Sequence, residues 1–135
     1  MDDAPLVVII EDDHFAAFLF KQTLNAHGYA VAINSGETVD LPALVSLKPA
    51  ALLVDLHLSE GDGVQLLRRL RTVRSLRHVP AALITGDYFT DATVSREIEK
   101  LGIEMYFKPL WDDQLLSVVA GLVKRGLVAL DEASR

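Results

Sequence analysis

Four short stretches of the chain carry side chains able to do chemistry together. Glu11, Asp12 and Asp13 follow the apolar run LVVII, and Asp55 ends LLVD and opens the polar, glycine-bearing stretch LHLSEGDG. Thr85 and Gly86 close the run AALIT, and Lys108 and Pro109 follow EMYF. Clustered carboxylates repel one another, so at least one resists ionising unless a cation is close. A hard divalent ion with oxygen ligands, Mg²⁺ above all or Mn²⁺, resolves that repulsion. Lys108 is a compact charge able to pair with a carboxylate at rest and with phosphate oxygens later. Thr85 adds a hydroxyl beside a glycine that permits close approach. Carboxylates, a divalent metal, an ammonium and a hydroxyl suit a phosphoryl group in transfer, where charge stabilisation does most of the work. A side-chain carboxylate can itself be the nucleophile and form an aspartyl phosphate. Asp55, central in the chain, is the residue expected to do so.

The elements that must position these groups follow from hydrophobic patterning. Leu6 to Ile10 reads as a strand buried on both faces, Tyr29 to Ile33 as a second and Ala51 to Val54 as a third, ending at Asp55. Ala81 to Thr85 and Ile103 to Phe107 are the fourth and fifth. Between them lie helices. Residues 14 to 27 carry Ala17, Phe20 and Leu24 at helical spacing and stop at Gly28. A helix from about Leu41 to Leu47 tolerates Pro42 only in its first turn. Leu66, Leu67, Leu70 and Val73 mark a third stripe and Val94, Ile98 and Leu101 a fourth. Leu115 to Val123 belongs to a last helix that Asp112 or Asp113 could cap. Strict strand–helix alternation implies right-handed crossovers and a parallel sheet covered on both faces. In such a sheet ligands sit beyond the carboxyl ends of the strands, which is where every one of the four stretches falls.

Composition narrows the function classes. At 135 residues the chain has the size of one domain, and the absence of cysteine excludes disulfides, thiolate nucleophiles and thiolate metal sites. The net charge of −6 argues against non-specific nucleic-acid binding and anionic membranes. The acidic start MDDAPLVVII is unlike a signal peptide, and no segment approaches the roughly 18 apolar residues of a membrane span. A cytoplasmic protein is expected, with residues 1–126 as the domain and 127–135 as either an extension of the last helix or the stub of a longer protein.

The acidic pair after VVII, the lone Asp55 after LLV, Thr85-Gly86 and Lys108-Pro109, in this order at successive strand ends, resemble a response-regulator receiver domain. The resemblance covers residues 6 to 125 and implies a flavodoxin-like (βα)5 three-layer sandwich with strand order 2-1-3-4-5. It also implies a phosphoryl-accepting switch of a two-component or phosphorelay system, phosphorylated on Asp55 by a histidine kinase or histidine phosphotransfer protein. Mg²⁺ would be held by Asp12, by Glu11 largely through water, by Asp55 and by the backbone carbonyl of His57. Thr85 and Lys108 would hold the phosphoryl oxygens, His57 and Asp87 would tune the phosphoryl lifetime, and the Lys108–Pro109 bond would be cis. A downstream protein or self-association would read the output. The chain departs from the pattern at Ser59, where a proline is usual, and at Met105, where the family's switch aromatic usually sits, with Tyr106 next door on the opposite face of the strand.

Other readings compete. A phosphorylation-independent interaction module of the same fold is favoured by Met105 and Ser59 and opposed by the full acidic, Thr and Lys set. A flavin carrier would need a Ser/Thr-rich loop after the first strand instead of EDD, and a phosphohydrolase would need an acid near the nucleophile. Phe15, Phe18 and Leu19 lie off the buried stripe of the first helix, and Trp111 follows the Lys108–Pro109 step. These four residues are either core or a docking surface for a phosphodonor. The arginines at 68, 69, 71, 74 and 77 read as a solvated basic helix face.

Overall fold

The computed structural model describes residues 4–58, 61–86 and 92–133. Five strands, β1 (Leu6–Ile10), β2 (Ala30–Asn34), β3 (Ala51–Asp55), β4 (Ala81–Thr85) and β5 (Glu104–Phe107), alternate with five helices. The helices are α1 (His14–Ala26), α2 (Leu41–Leu47), α3 (Gly63–Arg71), α4 (Ala92–Lys100) and α5 (Asp112–Ala133). All pairings are parallel and the sheet order is β2-β1-β3-β4-β5. The chain therefore reverses direction of growth after β1 and β2, and the crevice of that switch point opens above the ends of β1 and β3.

Period-two alternation divides the core into two layers. Val7, Ile9, Leu53 and Ile84 point to one face, where Ala17, Phe20 and Leu24 of α1 and Leu115, Val119 and Leu122 of α5 cover them. Val8, Ile10, Leu52, Val54 and Leu83 point to the other, under Leu44 of α2, Leu66, Leu67 and Leu70 of α3 and Ile98 of α4. The central strands are apolar on both faces because both faces are covered. This is the flavodoxin-like three-layer sandwich.

Boundaries differ from the expected ones by a residue or two, each for a local reason. β2 begins at Ala30, because the Tyr29 amide closes α1 by donating to the Leu24 carbonyl. β5 begins at Glu104, because the Ile103 amide is taken by Ile98 at the end of α4. Asp55 is itself in the ladder, opposite Ile84. Asp112 and Asp113 occupy the first turn of α5, where carboxylates complement the helix dipole, and the Trp111 carbonyl accepts the first helical bond from Leu115. Residues 127–133 continue α5. No helix among the described residues is long and apolar enough to cross a membrane.

The turn between β3 and α3 sets the position of Asp55. The Gly63 amide donates to the Leu56 carbonyl (2.8 Å), and Asp62 caps α3 by accepting from the Gln65 amide (2.8 Å). Gly63 packs so close to β3 that an added Cβ would lie 2.4 Å from the Asp55 carbonyl oxygen and 2.8 Å from Leu83 Cδ2. Both obstacles are in the core and cannot step aside. Gly63→Ala is expected to cost about 2–3 kcal/mol in urea denaturation. Gly121→Ala, in α5 where a Cβ would meet nothing within 4 Å, should instead stabilise by about 0.5–1 kcal/mol.

Candidate functional site

Three polar residues are buried among the described residues, Glu11 (3 % exposed), Asp55 (7 %) and Thr85 (0 %), and they sit at the carboxyl ends of β1, β3 and β4. Lys108, from the end of β5, reaches across to join the first two: its Nζ lies 2.7 Å from Glu11 Oε1 and 3.2 Å from Asp55 Oδ2. The Lys108–Pro109 peptide is cis, and the Lys108 amide donates to the Thr85 carbonyl (2.7 Å). Asp55 Oδ1 accepts from the His57 amide (3.2 Å), and Glu11 Oε2 accepts from the Asp13 amide (3.2 Å). Both carboxylates are thus held by one backbone donor and one shared ammonium.

Asp12 differs from its neighbours by standing exposed, yet Glu11, Asp12 and Asp55 each place a carboxylate oxygen within 4.8 Å of the others. Asp13 is the N-cap of α1, accepting from Phe15 (3.0 Å) and Ala16 (3.2 Å), and so belongs to the helix and not to this cluster. Three hard oxygen donors, two of them desolvated, fit a divalent ion such as Mg²⁺, which would share with Lys108 the compensation of the negative charge. His57 is exposed at its side chain, and its pairing with Asp62 folds the loop after β3 back on itself. Asp87 and Ser59 lie outside the described residues.

Electrostatics mark this rim as under strain. Burial, a hydrogen bond to Asp55 and repulsion from its charge push the Glu11 carboxyl up to about 7, against the pull of Lys108. Burial alone would lower Lys108, but hydrogen bonding and charge pairing with Glu11, then the charge of Asp55, outweigh it and its pKa is raised. The ammonium is therefore held charged, while one of its two carboxylates keeps a proton into the neutral range.

Met105 is half-buried against the α2–α4 side of the sheet, beside Leu83 in register, whereas Tyr106 packs on the α1–α5 side. The Tyr106 hydroxyl donates to Glu104 (3.0 Å), which also accepts from Arg125 (2.7 Å). Of the four residues left open between core and surface, all are surface: Phe15, Phe18, Leu19 and Trp111 are 68, 51, 46 and 72 % exposed. Thr23 Oγ1 donates to Asp112 (3.0 Å), tying α1 to the start of α5 next to Trp111. Sequence reasoning did not single out Gly63 or Asp62 within the stretch LHLSEGDG. The signal that could have found Gly63 is its place eight residues after Asp55, where a helix must start against the strand that carries the carboxylate.

The raised Glu11 has a measurable consequence. Between 4.5 and about 7 the folded chain binds a proton that the unfolded chain has released, so stability falls as pH rises through that window. We expect wild type to lose on the order of 2 kcal/mol more than Glu11→Gln between pH 4.5 and 7.5 in urea denaturation. Parallel curves would show that Glu11 titrates normally.

Comparison with known proteins agrees with this geometry. The response regulator receiver domain family matches residues 7–120. The polar-differentiation response regulator DivK of Brucella ovis is 31 % identical over 107 residues, 77 % of this chain and 84 % of DivK. The sensory/regulatory protein RpfC of Xanthomonas campestris is 27 % identical over 119 residues, 85 % of this chain, which spans only 16 % of RpfC. Among solved structures, the signal receiver domain of a DNA-binding response regulator from Colwellia psychrerythraea superimposes with a TM-score of 0.76 at 26 % identity, covering 89 % of this chain and 98 % of that one. A CheY-like receiver from Methanospirillum hungatei gives 0.77 at 20 % identity, over 94 % and 99 %. With its acidic rim, its lysine and its strand order, the chain belongs to the response-regulator receiver domains of two-component signalling.

Proposed function

We propose that this receiver accepts a phosphoryl group on Asp55 from a histidine kinase or histidine phosphotransfer protein and acts as a switch rather than a turnover enzyme. The observation that carries the reading is the ammonium of Lys108 set 3.2 Å from the carboxylate of Asp55, beside the acidic cluster. An Asp55 carboxylate oxygen attacks phosphorus in line, the P–N bond of a phosphohistidine breaks, and the imidazole leaves with its electron pair and takes up a proton. Asp12, Asp55, the His57 carbonyl and, largely through water, Glu11 would hold Mg²⁺, which when bound would supply charge neutralisation at the transferring oxygens. Lys108 exchanges its carboxylate contacts for the new phosphoryl oxygens, and the Thr85 hydroxyl donates to them from the neighbouring strand. His57 and Asp87 set the access of water that later discharges the acyl phosphate. The change at Thr85 is passed to the α4–β5 surface through Met105, where a downstream protein or a second receiver reads it. Cytoplasmic placement follows from a phosphodonor of that kind.

The phosphodonor docks on Phe15, Phe18, Leu19 and Trp111. α1 begins directly after Asp12 and Asp13, and Trp111 stands three residues beyond Lys108, so these exposed apolar side chains border the acidic rim. A partner gripping them brings its phosphohistidine over the crevice. Met105, where an aromatic residue is usual, favours one second reading: a receiver whose partner binding ignores phosphorylation. Partner affinity unchanged in Asp55→Asn would select that reading.

Two measurements test the proposal. Intact mass after incubation with acetyl phosphate should gain one phosphoryl in the presence of Mg²⁺, and none without the metal or in Asp55→Asn. An unmodified wild type with both acetyl phosphate and a kinase donor would overturn it. Phe18→Ser with Trp111→Ser should slow transfer from a phosphotransfer protein at least tenfold while leaving acetyl phosphate labelling within twofold. Equal slowing with both donors would place the defect in the site and not in docking.

A further inference from the structure

The opposite end of the sheet, where the strands begin, carries a second concentration of charge. A cavity of about 260 Å³ opens where the chain enters β4 and β5, lined among others by Arg71, Arg77, His78, Pro80, Gly102 and Arg125. β4 separates it from Thr85 by four residue steps, about 13 Å of extended chain. It is a different place from the acidic rim.

Arg71 departs from the solvated face expected of this helix. It is half-buried, and its Nη1 donates to the carbonyls of Leu76 (3.2 Å) and Val79 (2.7 Å), which fixes the guanidinium against the α3–β4 connection. Its Nη2 and Nε have no partner among the described residues, and no carboxylate among them pairs with it. Burial lowers its pKa, as for a cation held out of water without a neutralising charge. Arg77 and His78 are exposed and likewise unpartnered among the described residues. Arg125 commits Nη2 to Glu104 (2.7 Å), with Nη1 and Nε left over. Three guanidiniums from three segments therefore line one space in a chain of net charge −6, and among the described residues Glu104 is the one acid paired to them.

With Arg125 paired to Glu104, Arg71 and Arg77 still bring two positive charges without a carboxylate partner among the described residues to one space, which favours an entering anion. Planar guanidinium forks match phosphate oxygens in pairs, and two of these forks are already held in place by protein contacts. One carboxylate would neutralise a single guanidinium, whereas linked phosphates carry enough charge and acceptors for all three. We infer that this cavity is a binding site for a small diphosphate-bearing anion, held by Arg71, Arg77 and Arg125 with His78 at the rim. The inference stands apart from the reading of Asp55 and does not need it.

The test is an amide NMR titration of the full chain with inorganic pyrophosphate, in EDTA so that no divalent metal can bring the anion to the acidic rim. The expected result is saturation at one per chain, with shifts centred on residues 71, 77–79, 81, 101–102 and 125. Arg77→Gln, at an exposed position without a described partner, should weaken binding at least tenfold and leave the rest of the spectrum unchanged. Citrate should bind at least tenfold more weakly than pyrophosphate. Unsaturated linear shifts, shifts centred on residues 11, 12, 55 and 85, equal affinity in Arg77→Gln, or citrate binding as tightly as pyrophosphate would each overturn the assignment.

Discussion

Glu11 and Asp55 approach each other at the ends of two central strands, both nearly out of contact with water. Two ionised carboxylates in that position repel strongly, since little solvent remains to screen them. Lys108 lies between them, contacting each, and its charge is what allows the ends of β1 and β3 to converge. The compensation is incomplete. One positive charge faces two buried carboxylates with exposed Asp12 beside them, and burial first, then the hydrogen bond to Asp55 and its charge, leave Glu11 with a proton retained toward neutrality. The rim is therefore poised for one more cation, which the proposed Mg²⁺ would supply before a phosphoryl group brings further negative charge.

The rest of the fold can be understood as the frame that keeps this convergence in place. β1 and β3 are apolar on both faces, so they are fixed by α1 and α5 beneath and α2 to α4 above. Neither can slide without exposing one layer of the core, because a slip of one residue would exchange the two faces. Gly63 then locks the carboxyl end of β3, since its missing side chain lets α3 start directly against the Asp55 carbonyl. The periphery is looser in its chemistry. α3 and α4 are joined by an exposed Arg68–Glu97 pair, an interaction that contributes little in water.

Much of this was legible in the sequence because the relevant signals are local. The five apolar runs give the strands, the alternation of strand and helix gives a parallel sheet, and each chemical residue stands immediately after a run. Asp55, Thr85 and Lys108 could be placed on one rim on that basis. What was not legible depends on tertiary distance. Nothing local distinguishes buried Glu11 from exposed Asp12 next to it, although strand direction turns one into the crevice and the other outward. Periodicity could not decide whether Phe15, Phe18 and Leu19 were covered, because that depends on how far α5 reaches over α1. Arg71 read as one of several solvated arginines, and only the path of the α3–β4 connection brings two carbonyls to its guanidinium.

The bond from the Lys108 amide to the Thr85 carbonyl ties the backbones of two residues whose side chains face the same rim. A pull on the Thr85 side chain that shifted its backbone would carry the end of β5 with it, and with it the register of Phe107, Thr85's partner in the ladder. Phe107 is 37 % exposed on the edge strand of the sheet. Strain introduced at the buried centre would thus have a hydrogen-bonded route sideways to an open margin, where a small displacement would change the shape presented to solvent.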